Sequence, residues 1–218
     1  MPQIFTASAD TRLRTAALLL AVVFVVSLLF TAGFMNSTYV TSVGWVVTQP
    51  VPFSHEHHVG GLGLDCRYCH ASVEVSAQAS LPATHVCMTC HSQIWTGAPV
   101  LAPVRASLAD NKPLHWQRVA RLPDYVYFNH SIHISRGIAC VECHGRVDQM
   151  PLLARGKPFT MEFCLDCHRD PGPHLRPRDQ VTRMDWTGWH QDPKVAHEQL
   201  KAFGIQPDKL TNCYICHR

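Results

Sequence analysis

Charge is scarce in this 218-residue chain: only 16% of its residues are Asp, Glu, Lys or Arg, and the basic ones outnumber the acidic ones 19 to 16. That scarcity, beside 46% hydrophobic residues, excludes a disordered tail, and the missing acidic excess is unlike an ordinary cytosolic enzyme. Unpaired cysteine is missing as well. All ten cysteines fall into five Cys-x-x-Cys pairs, which leaves no free thiol over, and one spacing repeated five times argues against the irregular spacings of a disulfide scaffold.

What is abundant is histidine, 15 residues in all, with one directly behind every cysteine pair. The five motifs are Cys66-Arg67-Tyr68-Cys69-His70, Cys87-Met88-Thr89-Cys90-His91, Cys140-Val141-Glu142-Cys143-His144, Cys164-Leu165-Asp166-Cys167-His168 and Cys213-Tyr214-Ile215-Cys216-His217. Random placement of this composition gives about 0.03 such motifs, and each reads as a c-type haem attachment site. Two thiols at this spacing form thioethers with the two vinyl groups of one haem, and the adjacent histidine lies under the iron as its proximal ligand. Five covalently bound haem c groups are therefore expected. A zinc ribbon also uses Cys-x-x-Cys pairs, but four tetrahedral ligands give no reason for a histidine after every second cysteine. The formal charge of +3 belongs to the chain without haem. Two ionised propionates per haem would turn it negative, so no basic surface for nucleic acid is implied.

One uncharged run, Ala16 to Met35, has 20 residues, enough to cross a bilayer core as a helix. Arg12 and Arg14 precede it, so the positive-inside tendency keeps residues 1–14 as a cytoplasmic tail. Residues 15–35 form the membrane helix, 36–52 a linker and 53–218 a periplasmic pentahaem domain, with Tyr39 and Trp45 near the outer interface. That side of the inner membrane is where cysteines can be oxidised or haem-linked. Thr31-Ala32-Gly33 is a passable signal-cleavage site, but the apolar stretch is long for a signal peptide, which favours a retained anchor.

An internal repeat organises the domain. Phe53-Ser54-His55-Glu56-His57-His58 precedes Cys66, and Phe128-Asn129-His130-Ser131-Ile132-His133 precedes Cys140. The first histidine of each leads its cysteine by 11 residues (His55 to Cys66) or 10 (His130 to Cys140). Each repeat then carries a second motif, so 53–91 and 128–168 are dihaem repeats and 213–217 is a lone fifth motif. Residues 92–127 and 169–212 are rich in Pro, Gly and polar residues and read mainly as loops. The exception is a helix with Asp192 as N-cap, Pro193 at its first position, Gly204 past its end, and an apolar face of Val195, Ala196, Leu200 and Phe203. The expected fold is a single transmembrane α-helix followed by short α-helices and loops wrapped around haem, with little or no β-sheet.

An iron with two strong axial ligands has no open position for a substrate, so the distal ligands separate electron transfer from catalysis. His55 and His58, like His130 and His133, are three apart and project from one side of a helical turn, where they can reach two different irons. They are the distal candidates, with His57 as a rival to His58 if the segment is extended. For the fifth haem Met150, Met161, His174 and His190 compete; Met150 and Met161 both lie between the two motifs of the second repeat, and Met150 is preferred. No Cys-x-x-Cys-Lys variant of the kind found at nitrite-reducing haems is present, which argues against a multihaem reductase.

The stretches PVPFSHEHHVGGLGLDCRYCH (Pro50 to His70), LPDYVYFNHSIH (Leu122 to His133), CVECHGRVDQMPL (Cys140 to Leu152) and MEFCLDCHRDPGPHLRP (Met161 to Pro177) resemble the pentahaem cytochrome c subunit of bacterial alternative complex III. The resemblance implies a subunit that is not an enzyme by itself. In that family quinol is oxidised in a multi-span membrane subunit, and electrons pass through an iron–sulfur subunit. The pentahaem subunit then conducts them toward a monohaem cytochrome c subunit and onward to a soluble cytochrome c or copper protein. The family also carries mostly bis-histidine haems with one His/Met haem, in agreement with the ligands above. The competing expectation is a free-standing membrane-anchored multihaem quinol dehydrogenase.

Overall fold

The structure is a computed structural model that describes residues 6–188 and 192–217. It divides into two units, one ending at Ser42 and one beginning at Val43.

The first unit is built from helix α1 (Ala7–Met35) and the single turn α2 (Thr38–Thr41). Helix α1 starts earlier than the uncharged run because nothing between Ala7 and Thr15 breaks a helix, and an Asp10–Arg14 pair one turn apart bridges its polar end at 3.0 Å. It is long and apolar enough to cross a membrane: its best 18-residue window has a mean hydropathy of 2.7 and is unburied on every side.

The second unit has short helices, and among the described residues it has no β-strand beyond the isolated bridges Val46–Ala154 and Ile138–Leu175. A π-helical turn (Glu56–Gly61) leads into α3 (Cys66–Cys69), α4 (Thr84–His91) and α5 (Ala102–Ala109). Then follow α6 (His130–Ser135), α7 (Cys140–His144) and α8 (Met161–Arg169). The chain closes with α9 (Pro193–Ala202), α10 (Pro207–Leu210) and α11 (Cys213–Cys216). Several of these turns are too short to persist by propensity and rely on side-chain caps. Asp65 accepts from the Arg67 N–H, Asn129 from Ser131, Thr160 from Phe163 and Asn212 from Tyr214.

The helix expected from Asp192 to Gly204 forms, with Asp192 capping Lys194 and Gly204 in the left-handed region at φ +63°. The loop expected over 92–127 is only partly a loop, since it contains α5. Pro99 and Pro103 read as breakers, yet both occupy the first turn of a helix, where the missing N–H has no partner to lose. Helix α5 buries Val104 against Leu101 and Val51, one of three small apolar clusters. The second joins Val73, Ile134 and Val181, and the third joins Ile138, Leu175 and Phe203. Gly137 closes this last cluster at φ +78°, where a Cβ would strike the Arg176 carbonyl oxygen and the Phe203 ring.

Candidate haem-binding sites

Each motif cysteine pair spans one helical turn, so both thiols of a pair face the same side and the histidine follows at the end of that turn. None of the ten cysteines is in a disulfide. Burial, more than any neighbour, pushes Cys143 up to about 12 and Cys167 up to about 11.

The histidine rings are held through one nitrogen. Nδ1 bonds a backbone carbonyl at Ser80 from His70 (2.8 Å), Ile94 from His91 (3.2 Å), Leu210 from His168 (2.9 Å) and Tyr125 from His217 (3.2 Å). The same holds for His58 on Ser54 (2.8 Å), His130 on Ala77 (2.9 Å) and His133 on Asn129 (2.8 Å). A carbonyl only accepts, so each contact places the proton on Nδ1 and leaves the Nε2 lone pair for a metal.

Their mutual spacing is informative. Two imidazoles bonded through Nε2 to opposite sides of one ion, at about 2.0 Å each, hold their ring centres about 6.3 Å apart. His58 and His91 are 6.2 Å apart, His130 and His144 6.4 Å, and His133 and His168 6.2 Å. His55 lies among His70, His58 and His144, and burial first, then those neighbours, lower its pKa to about 4. His144 is lowered to about 4 in the same way, by burial and then by His130 and His70. His57 faces Trp95 instead, at 6.2 Å, so His58 is the residue opposite His91.

The candidates for the fifth distal position are scattered. Met150 accepts a backbone bond from Glu56 at 3.1 Å, and its methyl group lies beside Gly145, which places it at the end of the third motif, whose His144 already faces His130. His217 at the fifth motif stacks on Tyr125 at 6.0 Å, and Tyr127 donates to the Cys216 carbonyl at 2.8 Å. Met161 opens α8 and is 65% exposed. His190 lies outside the described residues.

His174 donates from Nδ1 to Glu142 at 2.9 Å, and Arg176 binds the other oxygen of that carboxylate at 3.0 Å. The hydrogen bond to Glu142 raises His174. Burial would raise Glu142, but these two contacts outweigh it and hold it below the usual glutamate range. Sequence reasoning missed this network. Arg176 is 1% exposed, lies over the Trp186 ring at 5.1 Å, and has no pattern around it, although Glu142 inside a motif was a visible signal.

Among the described residues, two buried side-chain nitrogens lack a hydrogen-bond partner, His55 Nδ1 and Arg176 Nε. Haem fits this arrangement. Paired thiols, imidazoles at metal-spanning separation and a buried guanidinium donor match its vinyl groups, iron and carboxylates.

No protein-family model matches the chain. It is 29% identical over 170 residues to the multiheme cytochrome c subunit of menaquinone reductase from Nitratidesulfovibrio vulgaris, a match covering 78% of this chain and 67% of that protein. It is 30% identical over 95 residues to cytochrome c3 of the same organism, covering 43% of this chain and 58% of that protein. These likenesses imply covalently bound haem c.

Proposed function

We propose that the chain is a membrane-anchored pentahaem c-type cytochrome. It conducts electrons within a quinol-oxidising complex of the alternative complex III kind toward a periplasmic cytochrome c or copper protein. The observation that carries this reading is the set of three histidine pairs 6.2 to 6.4 Å apart, each joining a motif histidine to a histidine of the Phe-x-His-x-x-His repeat. When bound, haem c supplies one-electron chemistry between ferrous and ferric iron.

The chain's residues do the rest. The ten motif cysteines anchor, and His70, His91, His144, His168 and His217 ligate on the proximal side. His55, His58, His130 and His133 close the opposite side of the first four. Backbone carbonyls fix the ring orientations, and closed axial positions exclude substrate and water from the metal. Residues 1–14 remain cytoplasmic, α1 anchors the chain in the inner membrane, and the second unit is periplasmic. Its partners are the iron–sulfur, multi-span quinol-binding and monohaem cytochrome subunits of the same complex.

The test is a haem count by pyridine haemochrome and intact mass, followed by spectroscopy of the purified chain. Five haems, all low-spin and unreactive to carbon monoxide, are expected; an iron that binds carbon monoxide would replace the conducting role with a catalytic one. A second reading reverses the flow, because one relative is a subunit of a menaquinone reductase. A redox titration separates the two: potentials mostly above the quinone couple favour quinol oxidation, and potentials below it favour quinone reduction.

A further inference from the structure

The chain order of the five motifs is not their order in space. In the first repeat Cys69 lies beside Cys87, and Tyr68 is hydrogen-bonded to Thr89 at 2.7 Å, so the first motif touches the second. In the second repeat Cys143 lies beside Cys164 and Cys167, so the third touches the fourth. His144 also packs edge-on against Phe159 at 6.1 Å, which packs against Phe163, the residue before Cys164, at 5.9 Å.

The junction between the repeats has a different pattern. Cys66 and Cys140, the first cysteines of the two leading motifs, lie side by side. One segment clasps both, since Cys140 donates its N–H to the Val181 carbonyl at 3.1 Å and Cys66 reaches the Thr182 carbonyl at 3.9 Å. Thr182 also donates to Asp65, the cap of α3, at 3.0 Å. His144 lies near both His70 and His55 at the same place. Among the described residues the fifth motif meets the fourth: Cys164 lies beside Cys216, and His168 is bonded to Leu210, three residues before Cys213.

We infer that the two repeats meet head to head, so that the motifs form one line in the order second, first, third, fourth, fifth. This rests on the haem reading above and deepens it. Electrons would cross the line singly, each haem oxidised as its neighbour is reduced, with no proton or atom transferred. The donor at one end is a reduced one-electron carrier and the acceptor at the other an oxidised one. The first and third motifs are then the central crossing, and the second and fifth are the two ports. The fifth motif lengthens one arm of an otherwise mirrored arrangement, so the ports differ in surroundings.

The experiment uses the full-length holoprotein. Removing one distal ligand turns that haem high-spin, and its fast-relaxing moment broadens the electron paramagnetic resonance signals of its immediate neighbours. His55→Ala marks the first haem and is expected to affect two other signals, whereas motifs lined up in chain order would give one. His58→Ala marks the second haem and is expected to affect one, against two for chain order. One response to His55→Ala with two to His58→Ala overturns the inference. If His55→Ala does not assemble, the count for His58→Ala decides alone. A chain that never carries five haems defeats the haem reading instead, and the prior haem count detects that case.

Discussion

The two Phe-x-His-x-x-His repeats share their local geometry and differ in their surroundings. Phe53 stands 4.8 Å from His55 at 87° and 4.4 Å from His58 at 26°, while Phe128 stands 4.8 Å from His130 at 88° and 4.4 Å from His133 at 26°. His58 and His133 each bond the carbonyl four residues back at 2.8 Å. Yet the first pair leads into a π-helical turn and the second lies in α-helix α6. His130 Nδ1 finds Ala77 in the other repeat, whereas His55 Nδ1 is buried without a partner. Segment 171–181, with Leu175, Arg176 and Val181 buried, lies against the second repeat, and the Cys143 and Cys167 thiols there are pushed far up by burial. A six-residue pattern thus sets how a histidine pair is presented, and what packs around it sets the surroundings of each pair.

The comparison can be broken most severely at the cysteines. Replacing Cys140 and Cys143 with serine is expected to remove one haem and destabilise both repeats, whereas serine at Cys213 and Cys216 removes one haem and leaves the other four low-spin. Haem count and thermal melting read the contrast, and equal damage from the two changes would end the distinction between a central and a terminal motif.

Arg176→Met leaves Glu142 half-buried with only His174, and it should destabilise the holoprotein by about 3 kcal/mol, the low end for one broken buried pair. Guanidinium denaturation measures it, and a loss confined to the second repeat would sharpen the contrast in packing. The smallest effect is at Asp65, where Asp65→Ala removes a helix cap and should cost about 1 kcal/mol, with Asp65→Asn recovering most of it. Bonding to Arg67 lowers Asp65 from 3.8 to about 2, so its carboxylate stabilises the fold above pH 3.8 and that contribution disappears as pH falls through about 2. A denaturation series between pH 5 and 2 should show less acid sensitivity in Asp65→Asn than in the parent chain.

Much of the fold was legible because its signals are short-range. The uncharged run gave α1, the Asp-Pro start and Gly204 gave α9, and the spacing of the motifs gave a unit of short helices without strands. Helix α5 was hidden because proline marks a loop and a first helical turn equally well. At the candidate site, three-residue spacing made the histidine pairs visible, but His57 and His58 separated only once Trp95 was seen to occupy the face of His57. Arg176 was invisible because its burial depends on Glu142, 34 residues away, and on Trp186.

By itself, then, the sequence determined where the five Cys-x-x-Cys-His motifs lie and which histidine follows each pair, because that pattern is complete within five residues. It also determined that the pattern occurs in two similar halves. Only the tertiary structure decided which repeat histidine stands opposite which motif histidine, that Cys66 lies by Cys140, and that the Met150 methyl lies beside Gly145 after the third motif. Those relations join residues tens of positions apart, and a chain of short turns can bring such residues together in many ways until packing selects one.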